Sequence, residues 1–253
     1  ITKLDKYVAM TRDWVDVDGK EKKQRAVIRI ESNDFIKWEN PKQVLVGQNF
    51  NLQTYAMPYF FYEGVYLGLV AIHDQKSDRV WTELAWSPDT INWTRIDVGN
   101  PLIPNSEIKL DYDYGCVYAC AAPIIKKDKI EIFYGSSDYR HSGWRNGSFS
   151  MATLRTDGFA GYKQINAKKE GIIITQNIKY NNGLLKINAD FNDKGSLKVT
   201  VLNKKGKEIA ISKTIKKTSM NQIVQFDRKI TENNISFKFT INDAKLYSFL
   251  IGK

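Results

Sequence analysis

Three stretches and one isolated tyrosine hold the side chains of this chain best suited to chemistry. Asp111-Tyr-Asp113-Tyr114 sets two carboxylates two residues apart, directly ahead of a predicted strand. On an extended segment, residues i and i+2 share a side. One carboxylate there could raise the other's pKa, giving a general acid beside a general base. His73-Asp74 and Asp138-Tyr-Arg-His141-Ser-Gly-Trp144-Arg145 carry the only two histidines, with Asp, Trp and Arg beside them. Tyr55 stands three residues before Pro58. Aromatic rings among Asp, His and Arg suit a polyhydroxylated ligand, which stacks its apolar face and bonds its hydroxyls. Each residue also has a plainer role open to it. An Asp before a strand caps or solvates a loop, a loop histidine is often neutral, and Trp144 could pack between sheets.

The elements that position these residues repeat. Pro58-Tyr-Phe-Phe-Tyr-Glu-Gly-Val-Tyr-Leu-Gly-Leu69 reads as two strands around an acidic turn at Glu63-Gly64. The same outline returns without a gap at Pro123-Ile-Ile-Lys-Lys-Asp-Lys-Ile-Glu-Ile-Phe-Tyr134, an offset of 65. A truncated copy opens the chain, where Asp5-Lys-Tyr-Val-Ala9 falls on Glu63–Leu67 at an offset of 58. Each copy continues into a further strand, a turn bearing Asp34, Asp89 or Asp157, and then Trp38, Trp93 or Tyr162. An Asp at such a turn accepts hydrogen bonds from the amides just ahead of it. The aromatic that follows is expected between neighbouring blades. Repeats of this length built from short strands mark a β-propeller.

Three four-stranded blades result, at roughly 1–47, 54–102 and 117–165. Propellers typically need four to eight blades, so this reading expects about two N-terminal blades and most of the first inner strand to lie in a longer protein. In an up-and-down blade, the start of strand one and the loop between strands two and three share a face. That face collects Arg12, Asp13, Trp14, Tyr55, His73, Asp74, Asp111, Asp113, Tyr114, Asp138, His141, Trp144 and Arg145. Catalysis, if present, is expected from Asp113 with Asp111. Ligand contact is expected from Tyr55, His73, Asp74, Tyr114, Asp138, His141, Trp144 and Arg145.

From Gly171 the pattern changes to short strands in which apolar residues alternate with Lys, such as Leu184–Ala189, Ser196–Leu202, Ile235–Ile241 and Ala244–Ile251. Asn182-Gly183, Lys194-Gly195, Lys205-Gly206 and Asn242-Asp243 mark the turns. This reads as an antiparallel β-sandwich with a solvated outer face. Charge breaks at the same place. Residues 1–162 carry 20 Lys and Arg against 21 Asp and Glu, whereas 163–253 carry 18 against 7. All six Trp precede residue 163. The fold class is therefore all-β, with propeller blades over 1–165 and a sandwich over 171–253.

Several classes are disfavoured. No stretch approaches the ~20 apolar residues of a membrane span. The basic excess after residue 162 is 17 Lys to one Arg, spread along alternating strands without interleaved aromatics, which argues against nucleic acid. Such Lys protect sheet edges from aggregation. Cys116 and Cys120, four apart on a predicted strand, are too distant to bridge and read as thiols in apolar company. Neither a metal nor another cofactor is expected: there is no Cys/His ligand spacing, P-loop, Rossmann fingerprint or nucleophile elbow. Asp16-Val-Asp18-Gly19 has the opening of a calcium loop but neither its third acidic ligand nor its closing Glu, and reads as a hairpin tip.

Taken in order, Met57-Pro58, Leu84-Ala-Trp-Ser-Pro-Asp89, Ile91-Asn-Trp93, Ala152-Thr-Leu-Arg-Thr-Asp-Gly-Phe159, Lys186-Ile-Asn-Ala-Asp190 and Leu246-Tyr-Ser-Phe249 resemble bacterial glycoside-hydrolase-like proteins. These join a five-bladed propeller to a C-terminal β-sandwich and are related to glycoside hydrolase families 32 and 43. The resemblance implies a carbohydrate partner, glycosidic-bond hydrolysis by two carboxylates, and a secreted or periplasmic location. The chain departs from the pattern where it matters for catalysis. The family-32 Asp before an inner-strand Pro is matched by Met57 and Ala122, and the Glu two before it by Ala56 and Ala121. Two functions follow as expectations: a glycoside hydrolase-like protein acting on a poly- or oligosaccharide, or a propeller that binds carbohydrate without cleaving it.

Overall fold

The β-branched and aromatic runs become strands, and among the described residues no helix forms. The computed structural model describes residues 4–16 and 23–252. The hairpin tip at 17–19 lies outside them. The chain divides into two units, Ile1–Thr153 and Leu154–Lys253.

In the first unit, β1 (Tyr7–Asp16), β2 (Lys23–Ser32) and β3 (Glu39–Val46) form an antiparallel sheet in that order. The next sheet begins with β4 (Leu52–Ala56) and β5 (Tyr59–Tyr62), both paired with β6 (Val65–Asp74). They are one inner strand interrupted at Met57-Pro58, because Pro58 has no amide to give the ladder. Its carbonyl still accepts the Leu69 amide, at 2.9 Å. Beyond β6 follow β7 (Arg79–Ser87) and β8 (Thr94–Ile96). Strands β1 and β6 start 58 residues apart, so the first sheet repeats β6-β7-β8. Among the described residues it has no counterpart of β4 and β5.

The third blade repeats the broken inner strand as β9 (Cys116–Ala119) and β10 (Ile124–Ile125), both against β11 (Lys129–Ser137), with β12 (Gly147–Arg155) outside. Its hairpin turns one residue earlier than the offset of 65 predicts. The Glu63-Gly64 turn, with φ of 40° and 95°, is matched by Lys127-Asp128, where the Lys126 amide bonds the Lys129 carbonyl. No fourth strand lies outside β12 among the described residues. Tyr162, expected between blades, instead stands with Lys163 in β13 (Tyr162–Lys163), paired with a strand of the second unit. Among the described residues the three repeats are thus three-, four- and three-stranded, not uniformly four-stranded.

Strand β6 lies between two neighbours and buries both faces. Val70 and Ile72 join Val27, Met57, Ala85 and Trp93, while Ala71 packs with Val80 and Cys116. A strand covered on both sides reads as a continuous apolar run rather than an alternation, which accounts for Leu67-Gly-Leu-Val-Ala-Ile72. Gly68 makes room for this packing: a Cβ there would sit 2.9 Å from both the Met57 sulfur and the Trp93 ring.

The Asp turns repeat atom for atom in the first two blades. Ser32 and Ser87 hydroxyls bond Asp34 and Asp89 at 3.0 and 3.1 Å. Each Asp Oδ1 then accepts two amides at 2.8 Å, from Ile36 and Lys37 or from Ile91 and Asn92. Asp157 departs from this, accepting the Ser248 hydroxyl at 2.5 Å.

The second unit is organised on two long strands, β16 (Leu184–Asn203) and β19 (Asn234–Gly252), paired along their length. Strands β14 (Gly171–Ile174) and β15 (Ile178–Lys179), like β13, add to β19, whereas β17 (Glu208–Ile211) and β18 (Ser219–Ile223) add to β16. Lys194-Gly195 and Asn242-Asp243 do not separate strands as predicted. They face each other at a break in register between Phe191 and Ser196, where the Asn192 side-chain amide bonds Asp243 at 2.6 Å. The pair of strands bends there. Leu185, Ile187, Leu197, Val199, Phe237 and Phe239 fill the core.

Candidate functional site

Two loops of adjacent blades meet over Tyr55. The first joins β6 to β7. Asp74 shapes it by accepting the amides of Lys76 and Ser77 and the Ser77 hydroxyl, at 2.6–3.3 Å. His73, buried at the end of β6, then stands beside Asp78 at the start of β7, with Nε2 2.9 Å from Asp78 Oδ1. The Gln75 side-chain amide meets His73 Nδ1 at 2.8 Å.

The second loop joins β11 to β12. Asp138 closes it by accepting the Asn146 backbone and side-chain amides at 2.8 and 2.7 Å. Asp78 fastens it to the first loop: the His141 amide bonds the Asp78 carbonyl and the Ser142 amide bonds Oδ2, both at 2.7 Å. Gly115 lets this loop pass close, since a Cβ there would fall 1.6 Å from the Tyr139 carbonyl.

The result is a packed cluster of rings. His73 and His141 centroids lie 4.6 Å apart, and Tyr55 contacts both at 5.9 and 5.1 Å and Tyr118 at 5.6 Å. His141 Nε2 is 3.0 Å from the Tyr55 hydroxyl. Its Nδ1 is buried without a hydrogen-bond partner, 3.7 Å from Asp78 Oδ1. Arg12 and Arg25 lie over the Tyr55 ring at 4.8 and 5.1 Å, and Arg25 also over Trp14 at 4.6 Å.

These surroundings set the charge states. Burial, then the nearby His73, pushes the His141 pKa down, so its ring is neutral at physiological pH. Burial works against the Asp78 charge, but the Ser142 amide and the His73 ring outweigh it and hold the carboxyl below its ordinary 3.8. Burial pushes the Tyr118 hydroxyl up and the Arg25 guanidinium down.

Beside the cluster opens a cavity of about 720 Å³, lined by Cys116, Tyr118, Ser137, Trp144, Arg145 and Phe149 among others. Trp144 is 90% exposed at its rim. Arg145 bonds the carbonyls of His141 and Gly143.

Of the residues singled out in the sequence, Tyr55, His73 and His141 come together, and Trp144 and Arg145 line the adjoining cavity. Asp74 and Asp138 belong to the two loops as turn formers. Asp111, Asp113 and Tyr114 make other contacts. Their segment is turned rather than extended, with the Asp111 amide on Ile108 and the Tyr114 amide on Asp111. The i,i+2 rule therefore does not apply. Asp113 is nine-tenths buried and accepts the Tyr134 hydroxyl at 3.2 Å, while Asp111 Oδ1 accepts the Tyr112 amide. Arg79 covers Tyr114 at 4.4 Å and bonds its carbonyl. Asp78, Gln75, Tyr118 and Arg25 went unnoticed in the sequence. Asp78 reads there as one more polar turn residue, and only its left-handed φ of 55° and its bonds to the next blade set it apart.

The sequence matches no known family profile and no curated protein. Solved structures do resemble it. BT0996, in its complex with RGII, aligns with 58% of this chain and 40% of its own length, at 18% identity and a TM-score of 0.48. A family-32 β-fructofuranosidase from Bombyx mori aligns with 98% of this chain and 77% of its own, at 11% identity and a TM-score of 0.33. A family-43 arabinoxylan arabinofuranohydrolase from Bacillus subtilis aligns with 90% and 59%, at 11% identity and a TM-score of 0.34. The chain thus spans less than two thirds of the first and third of these proteins. At such identities the likeness assigns no residue a role.

Proposed function

We propose that the chain is the sugar-binding part of a glycoside-hydrolase-like β-propeller protein. The observation that carries this reading is Trp144, exposed at the rim of a cavity lined by rings and polar groups. An indole held out to solvent on a short Gly-containing loop offers a flat face to the C–H side of a pyranose or furanose ring. Arg145 and the Ser137 hydroxyl stand within the same cavity to bond sugar hydroxyls.

The test is a titration of fructan, arabinan, arabinoxylan and pectic oligosaccharides into the full chain and into Trp144→Ala. Loss of one stacking face should weaken the best ligand ~10-fold, about 1.4 kcal/mol. Equal affinity in both proteins would remove Trp144 from the site. No binding to any sugar would remove the reading.

If groups of this chain hydrolyse a glycosidic bond, Asp113 contributes one carboxyl, with Asp111 in the same turn, although neither lines the Trp144 cavity. The second reading, binding without cleavage, is favoured by a separate observation: Asp74, Asp78 and Asp138, carboxylates of the two loops that meet over Tyr55, are all engaged in holding those loops.

A further inference from the structure

We propose that His73, Asp78 and His141 form a binding site for a divalent first-row transition metal, Zn²⁺ foremost. The three residues offer one ligand atom each, all within 4.8 Å of one another. Asp78 Oδ1 is 2.9 Å from His73 Nε2 and 3.7 Å from His141 Nδ1. Around a metal with bonds of about 2.1 Å, neighbouring ligand atoms stand roughly 3.0–3.4 Å apart. Closing the three atoms, now within 4.8 Å of one another, onto one ion takes a shift of up to about 1.4 Å, mainly in the His141 ring.

The second observation is the His141 ring itself. Its Nδ1 is buried, lacks a hydrogen-bond partner and faces the Asp78 carboxylate. A buried polar atom without a partner is costly, and coordination would satisfy it. Both histidines also have the outer partner that a ligating imidazole uses to fix its tautomer. His141 Nε2 meets the Tyr55 hydroxyl at 3.0 Å, and His73 Nδ1 meets the Gln75 amide at 2.8 Å. On binding, the His73 proton now directed at Asp78 moves from Nε2 to Nδ1. There the Gln75 side chain, turned over, accepts it through its oxygen. No proton is lost in this exchange.

The ligand set selects the metal. Two imidazoles and one carboxylate suit Zn²⁺ and its neighbours, while Ca²⁺ and Mg²⁺ need several oxygen ligands. Three protein ligands leave a position for water. The metal would also tie the loops of two adjacent blades together, so it would stabilise the fold whether or not the propeller binds sugar.

The experiment uses the untagged full chain, stripped with chelator and titrated with Zn²⁺ alone, Ca²⁺ alone and Co²⁺ alone. One Zn²⁺ per chain at about 1 μM or tighter, a raised Tm, and no Tm change with Ca²⁺ are expected. His141→Gln should lower Zn²⁺ affinity ~100-fold and Tyr55→Phe ~10-fold. Near-ultraviolet circular dichroism of each variant checks its fold. The Co²⁺ spectrum of the wild-type chain gives an answer independent of any variant: visible d–d bands without sulfur-to-cobalt charge transfer are expected. A thiolate band would give the metal to Cys116, which lines the neighbouring cavity. That band, a stoichiometry near zero, or unchanged Zn²⁺ affinity in folded His141→Gln would overturn the proposal.

Discussion

Asp78 bonds a histidine on its own blade and two amides of the next loop, and no spacing in the sequence announces it. Residues at strand ends were easier to find. Tyr55, His73 and His141 follow from blade topology alone, because strand starts and the loop after strand two share a face. Asp111 and Asp113 show the opposite failure: two carboxylates before a strand look extended in sequence, but Leu110 at a φ of 69° starts a turn that separates their partners. Asp113 remains the sharpest test of chemistry in this chain. If the protein hydrolyses glycans with it, Asp113→Asn, nearly isosteric but unable to trade a proton, should lower turnover by ~10²-fold or more. Steady-state rates on the oligosaccharide bound best would show this. Unchanged turnover would leave Asp113 as a structural partner of Tyr134.

At the scale of elements, the repeat was legible because each copy carries the same strand, Asp turn and aromatic. What stayed hidden depends on pairing across distance. Among the described residues the third blade has no outer strand, and Tyr162 pairs instead with Leu246, far along the chain, a choice no local pattern records. Lys194-Gly195 has hairpin composition, but its close approach to the Asp243 carbonyl, 2.3 Å from a Cβ built on Gly195, belongs to a bend in two continuing strands. Two predictions belong here. Arg95 on β8 bonds Glu83 on β7, both side chains nearly or fully buried, with the Trp81 indole on the other carboxylate oxygen. Arg95→Ala would strand a buried charge and should cost about 3–5 kcal/mol, read by denaturant unfolding. The Asp89 turn contributes to acid stability, alongside Glu31, whose carboxyl is also held at about 2. Burial opposes the Asp89 charge, but the amides of Asn92 and Ile91 outweigh this and hold the carboxyl at about 2, against an ordinary 3.8. A depressed carboxyl stabilises fully above the unfolded value and loses that contribution as pH falls through the folded one. Tm should therefore hold down to about pH 4 and drop toward about pH 2, with a shallower drop in Asp89→Asn. An equally steep drop in that variant would assign acid sensitivity to other groups.

For the molecule as a whole, charge and Trp content break near residue 162, whereas the chain divides into its two units between Thr153 and Leu154. We propose that sugar is bound by the first unit, at the loops carrying Trp144 and His141, and that the basic second unit takes no part in binding it. Chemical-shift mapping on the full chain, titrated with the tightest-binding oligosaccharide, tests this most directly. The Trp144 indole N–H and the His141 ring should shift together and saturate at one sugar per chain, while Tyr247 and the rest of Leu154–Lys253 stay in place. Shifts confined to the second unit, with Trp144 and His141 unmoved, would contradict it.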